Sequence, residues 1–149
     1  MPSFASAGAA FLVAVLWFDL MFDVQARRRG APLPADVLAS ISAYYRRVTT
    51  QARPMGALVS VVMLLTVLAI IAEIAQGRTA RWAAWASLVL AASAIGLALS
   101  RTVRNARRLG AATDPPSVQT ALARGLLRDH LYCLAAMAAV LGLQLFAAR

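Results

Sequence analysis

Four long apolar stretches dominate the chain, and arginine-rich or proline-containing segments separate them. They begin at Phe4, Met55, Trp82 and Leu131. Each stretch, with its flanks, provides the roughly 20 residues that an α-helix needs to cross the hydrocarbon core of a bilayer. Backbone groups in lipid must be satisfied within the segment itself, which favours helices. The pattern predicts an all-α membrane protein, a bundle of four transmembrane helices over residues 4–24, 55–76, 80–109 and 115–147.

A fifth, amphipathic helix is predicted between the first two membrane spans, over residues 35–51. Val37, Ile41, Tyr44 and Val48 recur there at helical spacing, with polar residues between them. Such a helix is expected to lie on the cytoplasmic face of the membrane or on the bundle. Its consecutive tyrosines, Tyr44 and Tyr45, are expected to anchor it at the interface, with covering of a polar cluster as the alternative.

Helices 3 and 4 are predicted to extend beyond the membrane on the same side. Helix 3 would continue to Leu109 and stop at Gly110, a common C-terminal signal. Asp114 followed by Pro115 is typical of an N-cap and the first helical residue. A helix from Pro115 to about Ala147 would be about 50 Å long. The two helices would therefore form a projecting hairpin.

The composition supports a single integral membrane domain of 149 residues. Apolar residues make up 61% of the chain and charged residues 14%, against about 45–50% and about 25% in soluble domains. The chain therefore lacks the polar residues that a water-soluble surface requires. A single cysteine, Cys133, excludes a disulfide framework and a cysteine-based metal motif.

All 15 basic residues are arginines, and with six acids they give a net charge of +9. The distribution of the arginines predicts how the protein is oriented in the membrane. Six arginines lie between the first and second apolar stretches, and six lie between the end of the third stretch at Leu99 and the start of the fourth at Leu131. Arg78, Arg81 and Arg149 lie on the other side. Cytoplasmic segments collect positive charge. We expect a protein of the bacterial inner membrane with both termini outside and both long loops in the cytoplasm. The charge then gives no reason to infer nucleic acid as a partner.

Polar residues from three helices are expected to meet at the cytoplasmic end of the bundle. Asp19 and Asp23 lie one turn apart on helix 1. Because polar groups inside a membrane are costly, they are the default candidates for a site. The other members are Arg101, Arg104 and Asn105 on helix 3, and Arg128, Asp129 and His130 on helix 4.

The structural interpretation of this group is an ion-pair layer that fixes how the helices pack. Asp19, Asp23 and Asp129 would neutralise Arg101, Arg104 and Arg128. An unpaired charge at this depth costs about 2.5–3.5 kcal/mol on insertion scales. Pairing is therefore expected whether or not the group has a function.

Two functional interpretations use the same residues. In the first, a divalent metal is bound, since carboxylate and imidazole suit iron, manganese or zinc; its ligands would be Asp19, Asp23, Asp129 and His130. In the second, an anionic or phenolic ligand is bound by Asp19, Arg101, Arg104, Asn105 and Arg128. His130 and Asp23 would then be catalytic and move a proton, because histidine titrates near neutrality.

Glu73 lies apart from this group, one turn before the outer end of helix 2. Pairing with Arg78 or Arg81 is one explanation for an acid in this position. The other is a role in proton coupling, which intramembrane acids perform in transporters. A transporter with four helices per chain would have to be oligomeric.

The polar segments resemble those of the anthrone-oxygenase-like family and of other small four-helix bacterial membrane proteins. The segments concerned are Trp17–Asp23, Tyr44–Arg47, Arg101–Asn105 and Arg128–His130. The resemblance implies oxidation of a polycyclic phenol without a known cofactor. It carries Arg104 and Asn105 over as site residues, with His130 as a looser match.

Together these observations favour a ligand- or metal-binding membrane protein, including an accessory subunit of a larger complex. A membrane oxidoreductase acting on a lipophilic phenol or quinone is the first alternative, and a small oligomeric transporter is the second. The expected partners are the lipid bilayer, a lipophilic small molecule, and further copies of the chain or a larger membrane complex.

Overall fold

The computed structural model describes residues 4–30, 32–77 and 79–147, and this part of the chain is all helical with no β-strand. The predicted all-α bundle is confirmed. The α-helices are α1 (Phe4–Asp23), α2 (Ala35–Arg46), α3 (Arg53–Gln76), α4 (Arg81–Leu97), α5 (Val103–Ala111) and α6 (Pro116–Phe146). Arg78, Arg149 and the side chain of Arg53, which were counted for the orientation, lie outside the described residues.

Short turns of tighter or wider helix extend three of these elements. A 3-10 turn, Val24–Arg27, continues α1, and a π-helical turn, Arg47–Gln51, continues α2. A second π-helical turn, Ala98–Thr102, joins α4 to α5 into one rod from Arg81 to Ala111. π-Turns change the rotational phase of a helix and are frequent at functional sites. This one carries Arg101.

Four helices are long and apolar enough to cross a membrane, so this is a multi-pass membrane protein. They are Phe4–Arg27, Pro54–Gln76, Arg81–Ala111 and Pro116–Phe146. α6 and α3 each pack against both α1 and α4, so that α3 lies across the bundle from α6. α3 leaves most of its apolar side chains exposed, including Leu64, Leu65 and Leu68. An exposed apolar surface of this kind is suited to contact lipid acyl chains.

Small residues let the helices approach closely in the half of the bundle that contains the α3–α4 connection. Ala5, Ala9, Ala91 and Ala136 are all buried there, with larger side chains such as Met137 between them. Small residues at helix crossings are the usual solution in membranes, where packing replaces the hydrophobic effect. This half of the bundle is a dense apolar core.

A separate core fixes α2 on the other end of the bundle, which we call the arginine-rich end. Ile41 and Tyr45 of α2 are buried against Leu109 of α5 and Leu126 of α6. Gly110 makes this contact possible, because a Cβ atom there would lie 2.7 Å from the backbone nitrogen of Arg46. The Arg46 Nε also donates to the Gly110 carbonyl oxygen at 3.2 Å. α2 therefore lies on the bundle.

The helix ends near Gly110 and Asp114 lie one or two residues from the predicted ones. α5 continues through Gly110 to Ala111, and Ala112 adopts the left-handed conformation with φ 54°. α6 begins at Pro116, and its N-terminus has no side-chain cap. Asp114 instead accepts two hydrogen bonds of 2.7 Å from the Arg108 guanidinium, which holds the pKa of that carboxyl below its usual value. Asp114 therefore forms an ion pair with Arg108 and does not cap α6.

Replacing Gly110 with alanine is expected to destabilise the protein by about 1–3 kcal/mol, because backbone atoms of α2 must move to admit the methyl group. Gly125→Ala is the matched control, since nothing lies within 4 Å of a Cβ atom there. Thermal unfolding in one detergent, followed by circular dichroism, should show a lower midpoint for Gly110→Ala only. Equal midpoints for the two variants would contradict the close approach of α2 to α5.

Candidate functional site

The candidate site lies where α1, α2 and α6 meet, and its centre is a buried carboxylate–imidazole pair. The Nδ1 atom of His130 lies 2.6 Å from Oδ2 of Asp23. Asp23 is fully buried, and His130 is 7% exposed. An ionisable group this deeply buried is stable only with a partner. This pair therefore joins the end of α1 to the middle of α6.

Tyr45 provides the second hydrogen-bond partner of Asp23. Its hydroxyl donates to Oδ1 of Asp23 at 2.6 Å and lies 3.4 Å from Nδ1 of His130. Tyr45 is itself buried in the core beneath α2. Both oxygens of Asp23 are thus occupied, one by a ring nitrogen and one by a phenol.

Tyr44 makes the equivalent contact with Asp19. Its hydroxyl donates to Oδ1 of Asp19 at 2.6 Å, and its ring stacks on Phe22 with 4.0 Å between ring centroids. Asp19 and Asp23 share one face of α1, whereas adjacent residues of a helix diverge by about 100°. Two consecutive tyrosines of α2 can therefore each reach one of the two carboxylates.

The second ring nitrogen of His130 faces Asp19 across a gap. Nε2 lies 4.0 Å from Oδ2 of Asp19, which is beyond hydrogen-bond distance. Two atoms 4.0 Å apart can each lie about 2.8 Å from one hydroxyl oxygen placed to one side of the line that joins them. The Asp19 side chain is 18% exposed, so this side of the group is the more accessible one.

The group as a whole is acidic. Two carboxylates face one imidazole, so even a protonated His130 leaves one formal negative charge. Burial, followed by the adjacent carboxylates, raises the pKa of both Tyr44 and Tyr45 above its usual value, so both phenols remain neutral donors. An uncompensated buried charge is unfavourable. The group is suited to take up a proton or a proton donor and not an anion.

Asp129 belongs to a different group, although it is the neighbour of His130 in the sequence. It is 1% exposed, and the Arg101 guanidinium pairs with both of its oxygens. The Thr102 hydroxyl also donates to Oδ2 of Asp129 at 3.2 Å. Consecutive helical residues point in different directions. Asp129 therefore faces α4–α5, whereas His130 faces α1 and α2.

Of the eight predicted polar residues, the structure brings Asp19, Asp23 and His130 into one group and pairs Arg101 with Asp129 in another. Arg104 and Arg128 are exposed and Asn105 is half-buried, and none of the three has a hydrogen bond or ion pair within the described ranges. Among the described residues, Asp129 with Arg101 is the one pair of the predicted ion-pair layer that forms. Asp19 and Asp23 have tyrosine and histidine partners instead.

The predicted metal ligand set is not assembled either. The part of the chain that the structure describes contains no group of three or more histidine, cysteine or acidic residues placed to hold a metal ion. Asp19, Asp23 and His130 come together, but tyrosine hydroxyls occupy one oxygen of each carboxylate. Asp129 points away toward Arg101.

Glu73 lies at the opposite end of the bundle from His130. It is buried, and the Thr79 hydroxyl donates to its Oε2 at 3.4 Å. On α6, the buried residues between His130 and Gln144 are Cys133, Ala136, Met137 and Val140. Gln144 follows His130 by 14 residues, which is about 21 Å. An apolar segment therefore separates the two polar ends.

Tyr44, Tyr45 and Thr102 contribute more to these groups than the sequence indicated. The tyrosine pair was interpreted first as an interface anchor, yet each phenol binds a carboxylate. The usable signal was the match between two consecutive tyrosines and two acids one turn apart. Thr102 carried no comparable signal, since a lone threonine in an apolar helix commonly bonds its own backbone.

Replacing Tyr45 with phenylalanine is expected to cost about 1–3 kcal/mol of stability, because a buried carboxylate oxygen loses its donor. Tyr44→Phe is the matched control, since Asp19 is partly exposed and water can replace the lost hydroxyl. Equilibrium unfolding of both variants in the same detergent measures the difference. If Tyr44→Phe destabilises the protein as much as Tyr45→Phe, the proposed centre at Asp23 is wrong.

The comparisons with known proteins add no relative from which a role for this site could be taken. No family model, curated protein or solved structure matches the chain.

Proposed function

We propose that this protein binds a hydroxyl-bearing lipophilic molecule at the arginine-rich end of the bundle and accepts a proton from it at His130. One observation carries the proposal: His130 is held through Nδ1 by buried Asp23, which leaves Nε2 directed at the gap beside Asp19. A carboxylate on one ring nitrogen fixes the tautomer and makes the other nitrogen the proton acceptor. His130 would be the general base, and Asp23 its positioning residue.

The charge of the site supports a neutral phenol or alcohol over an anion. The predicted arginine clamp is absent from this group, and the carboxylates outnumber the imidazole. Both carboxylates already accept a phenol hydroxyl at 2.6 Å, from Tyr44 and from Tyr45. A ligand phenol has a single proton, and it would share that proton between Oδ2 of Asp19 and Nε2 of His130 in a three-centre hydrogen bond before His130 takes it.

The surroundings of the site support a lipophilic ligand. Trp17, Phe18 and Met21 of α1 are each more than half exposed beside Asp19 and Asp23 in the sequence. In a bilayer these side chains face lipid or the interface, where aromatic rings are favoured. A molecule dissolved in the membrane would meet an aromatic surface before it reached Asp19.

The second candidate is an oxidoreductase that acts on the bound phenol, as the anthrone-oxygenase-like resemblance implies. The specific observation in its favour is the proton acceptor itself, since removing the phenol proton makes the ring easier to oxidise. The test is oxygen consumption by the purified protein with anthrone as substrate, together with a search for a bound chromophore by absorbance. Binding of anthrone without oxygen consumption would exclude the oxidoreductase and leave ligand binding as the remaining candidate function.

We further propose that the arginine-rich end faces the cytoplasm of a bacterial cell, with both termini outside. The support is the sequence count of twelve arginines against three. The exposed arginines that the structure describes at this end include Arg101, Arg104, Arg107 and Arg128. This orientation would place the proton acceptor near the cytoplasmic interface.

Binding of 1-naphthol is expected to change the ¹⁵N signals of His130, because its hydroxyl would donate to Nε2. His130 is the only histidine in the chain, so ¹⁵N-histidine labelling reports this site alone. The matched ligand is 1-methoxynaphthalene, which is equally apolar but has no proton to donate. We expect a saturable change with the first compound and none with the second.

Two variants separate this site from general partitioning into the detergent. Asp19→Asn should weaken the naphthol effect roughly tenfold, as the loss of a charge-assisted hydrogen bond does. Asp36→Asn, which removes an exposed acid of α2, should leave it unchanged. The same response from both ligands, or from both variants, would refute the proposed site.

Labelling of introduced cysteines is expected to show opposite sides of the membrane for Ser117 and Gln76. Both residues are exposed, one near the start of α6 and the other at the end of α3, while native Cys133 is buried. In intact cells a membrane-impermeant maleimide should label Gln76→Cys and not Ser117→Cys. The reverse pattern would overturn the proposed orientation.

A further inference from the structure

A groove on the lateral surface of the bundle lies between α4 and α6, away from the His130 site. Its volume is about 510 Å³, and it is open to the side. It is lined by Ser93, Leu97, Arg101, Arg128, Asp129 and Tyr132. The groove thus combines two guanidinium groups with apolar and hydroxyl-bearing side chains.

The groove lies at the height where a bilayer changes from hydrocarbon to headgroups. Arg101 follows Arg81 by 20 residues along one helical rod, which is about 30 Å. Arg128 precedes Phe146 by 18 residues on α6, which is about 27 Å. Both lengths match the hydrocarbon thickness of about 30 Å. Arginines from two helices therefore meet at the same boundary.

The donors in the groove are only partly used. The Arg101 guanidinium gives its Nε and one terminal nitrogen to Asp129, and a guanidinium has five N–H groups. Arg128 is exposed and makes no ion pair within the described part of the chain. Two arginines and one aspartate leave a formal charge of +1. The groove is therefore complementary to one negative charge.

The side of the groove nearer the membrane centre is amphipathic. The hydroxyls of Tyr132 and Ser93 lie 2.8 Å apart, and Tyr132 is about half exposed. Val89, one turn before Ser93 on α4, is exposed, as is Leu131 on α6. Polar ester groups would meet the hydroxyls, and an acyl chain would follow these apolar side chains.

We propose that this groove binds an anionic phospholipid, with the headgroup phosphate on Arg101 and Arg128. Guanidinium groups recognise phosphate through parallel hydrogen bonds. A zwitterionic headgroup would bring its own cation toward the arginines, whereas an anionic one would not. The ester region lies against Leu97, Tyr132 and Ser93, and one acyl chain continues beyond them along Val89. The lipid would fill the seam between α4 and α6 without entering the His130 site.

The test is titration of the detergent-purified full chain with phosphatidylglycerol, followed by native mass spectrometry. Arg128→Gln removes a charge without exposing a buried partner, and Arg107→Gln removes an exposed charge from the same α4–α5 rod outside the groove. Each arginine near an anionic membrane surface is worth about 1 kcal/mol. Arg128→Gln is therefore expected to weaken phosphatidylglycerol binding roughly fivefold, with Arg107→Gln unchanged. Arg101 is not replaced, because its loss would leave buried Asp129 without its ion-pair partner.

Three results would overturn the proposal. Equal weakening by the two variants would mean that net charge alone attracts the lipid. Equal binding of phosphatidylcholine and phosphatidylglycerol would remove the headgroup preference. Displacement of the lipid by millimolar inorganic phosphate would make this a site for a soluble anion. None of these measurements involves His130, so their outcome is independent of the proposed phenol binding.

Discussion

The burial of Asp23 is the constraint on which the rest of the structure depends. A carboxylate at the end of a membrane helix, with no exposed surface, must have partners for both oxygens. His130 supplies one and Tyr45 the other. These two contacts tie α1 to α6 and α2 to α1. The direction of the imidazole and the gap beside Asp19 follow from satisfying one buried acid, and the Tyr45 contact reinforces the position that the apolar core gives to α2.

The fold could be predicted from the sequence because it follows from hydrophobicity alone. Four apolar stretches of sufficient length leave helices as the only spanning structure, and their observed ends lie close to the predicted ones. The errors occurred where two local signals competed. Gly110 was interpreted as a helix stop, yet its missing side chain serves the contact with Arg46. Asp114 matched a cap, yet a nearby guanidinium outcompeted the backbone.

The candidate site could be predicted only in part. Which side chains belong to it depends on how each helix is rotated about its own axis. Asp19, Asp23 and His130 were brought to the right end of the bundle by topology. Topology does not say that Asp129 turns toward Arg101 and His130 away from it. The partners of the acids were also expected to be arginines. A phenol that keeps its proton serves a buried carboxylate as well and brings no second charge to desolvate.

The apolar face of α6 between His130 and Gln144 has an electrical consequence. Along α6, Cys133, Ala136, Met137 and Val140 provide no chain of hydrogen-bonding side chains that could carry a proton. A proton accepted at His130, as we propose, would have no path along α6 and would return to the side of the membrane from which it came. Only a charge that traverses the membrane field does work against the transmembrane voltage. The proposed proton transfer at His130 would then be electroneutral across the membrane and insensitive to its potential.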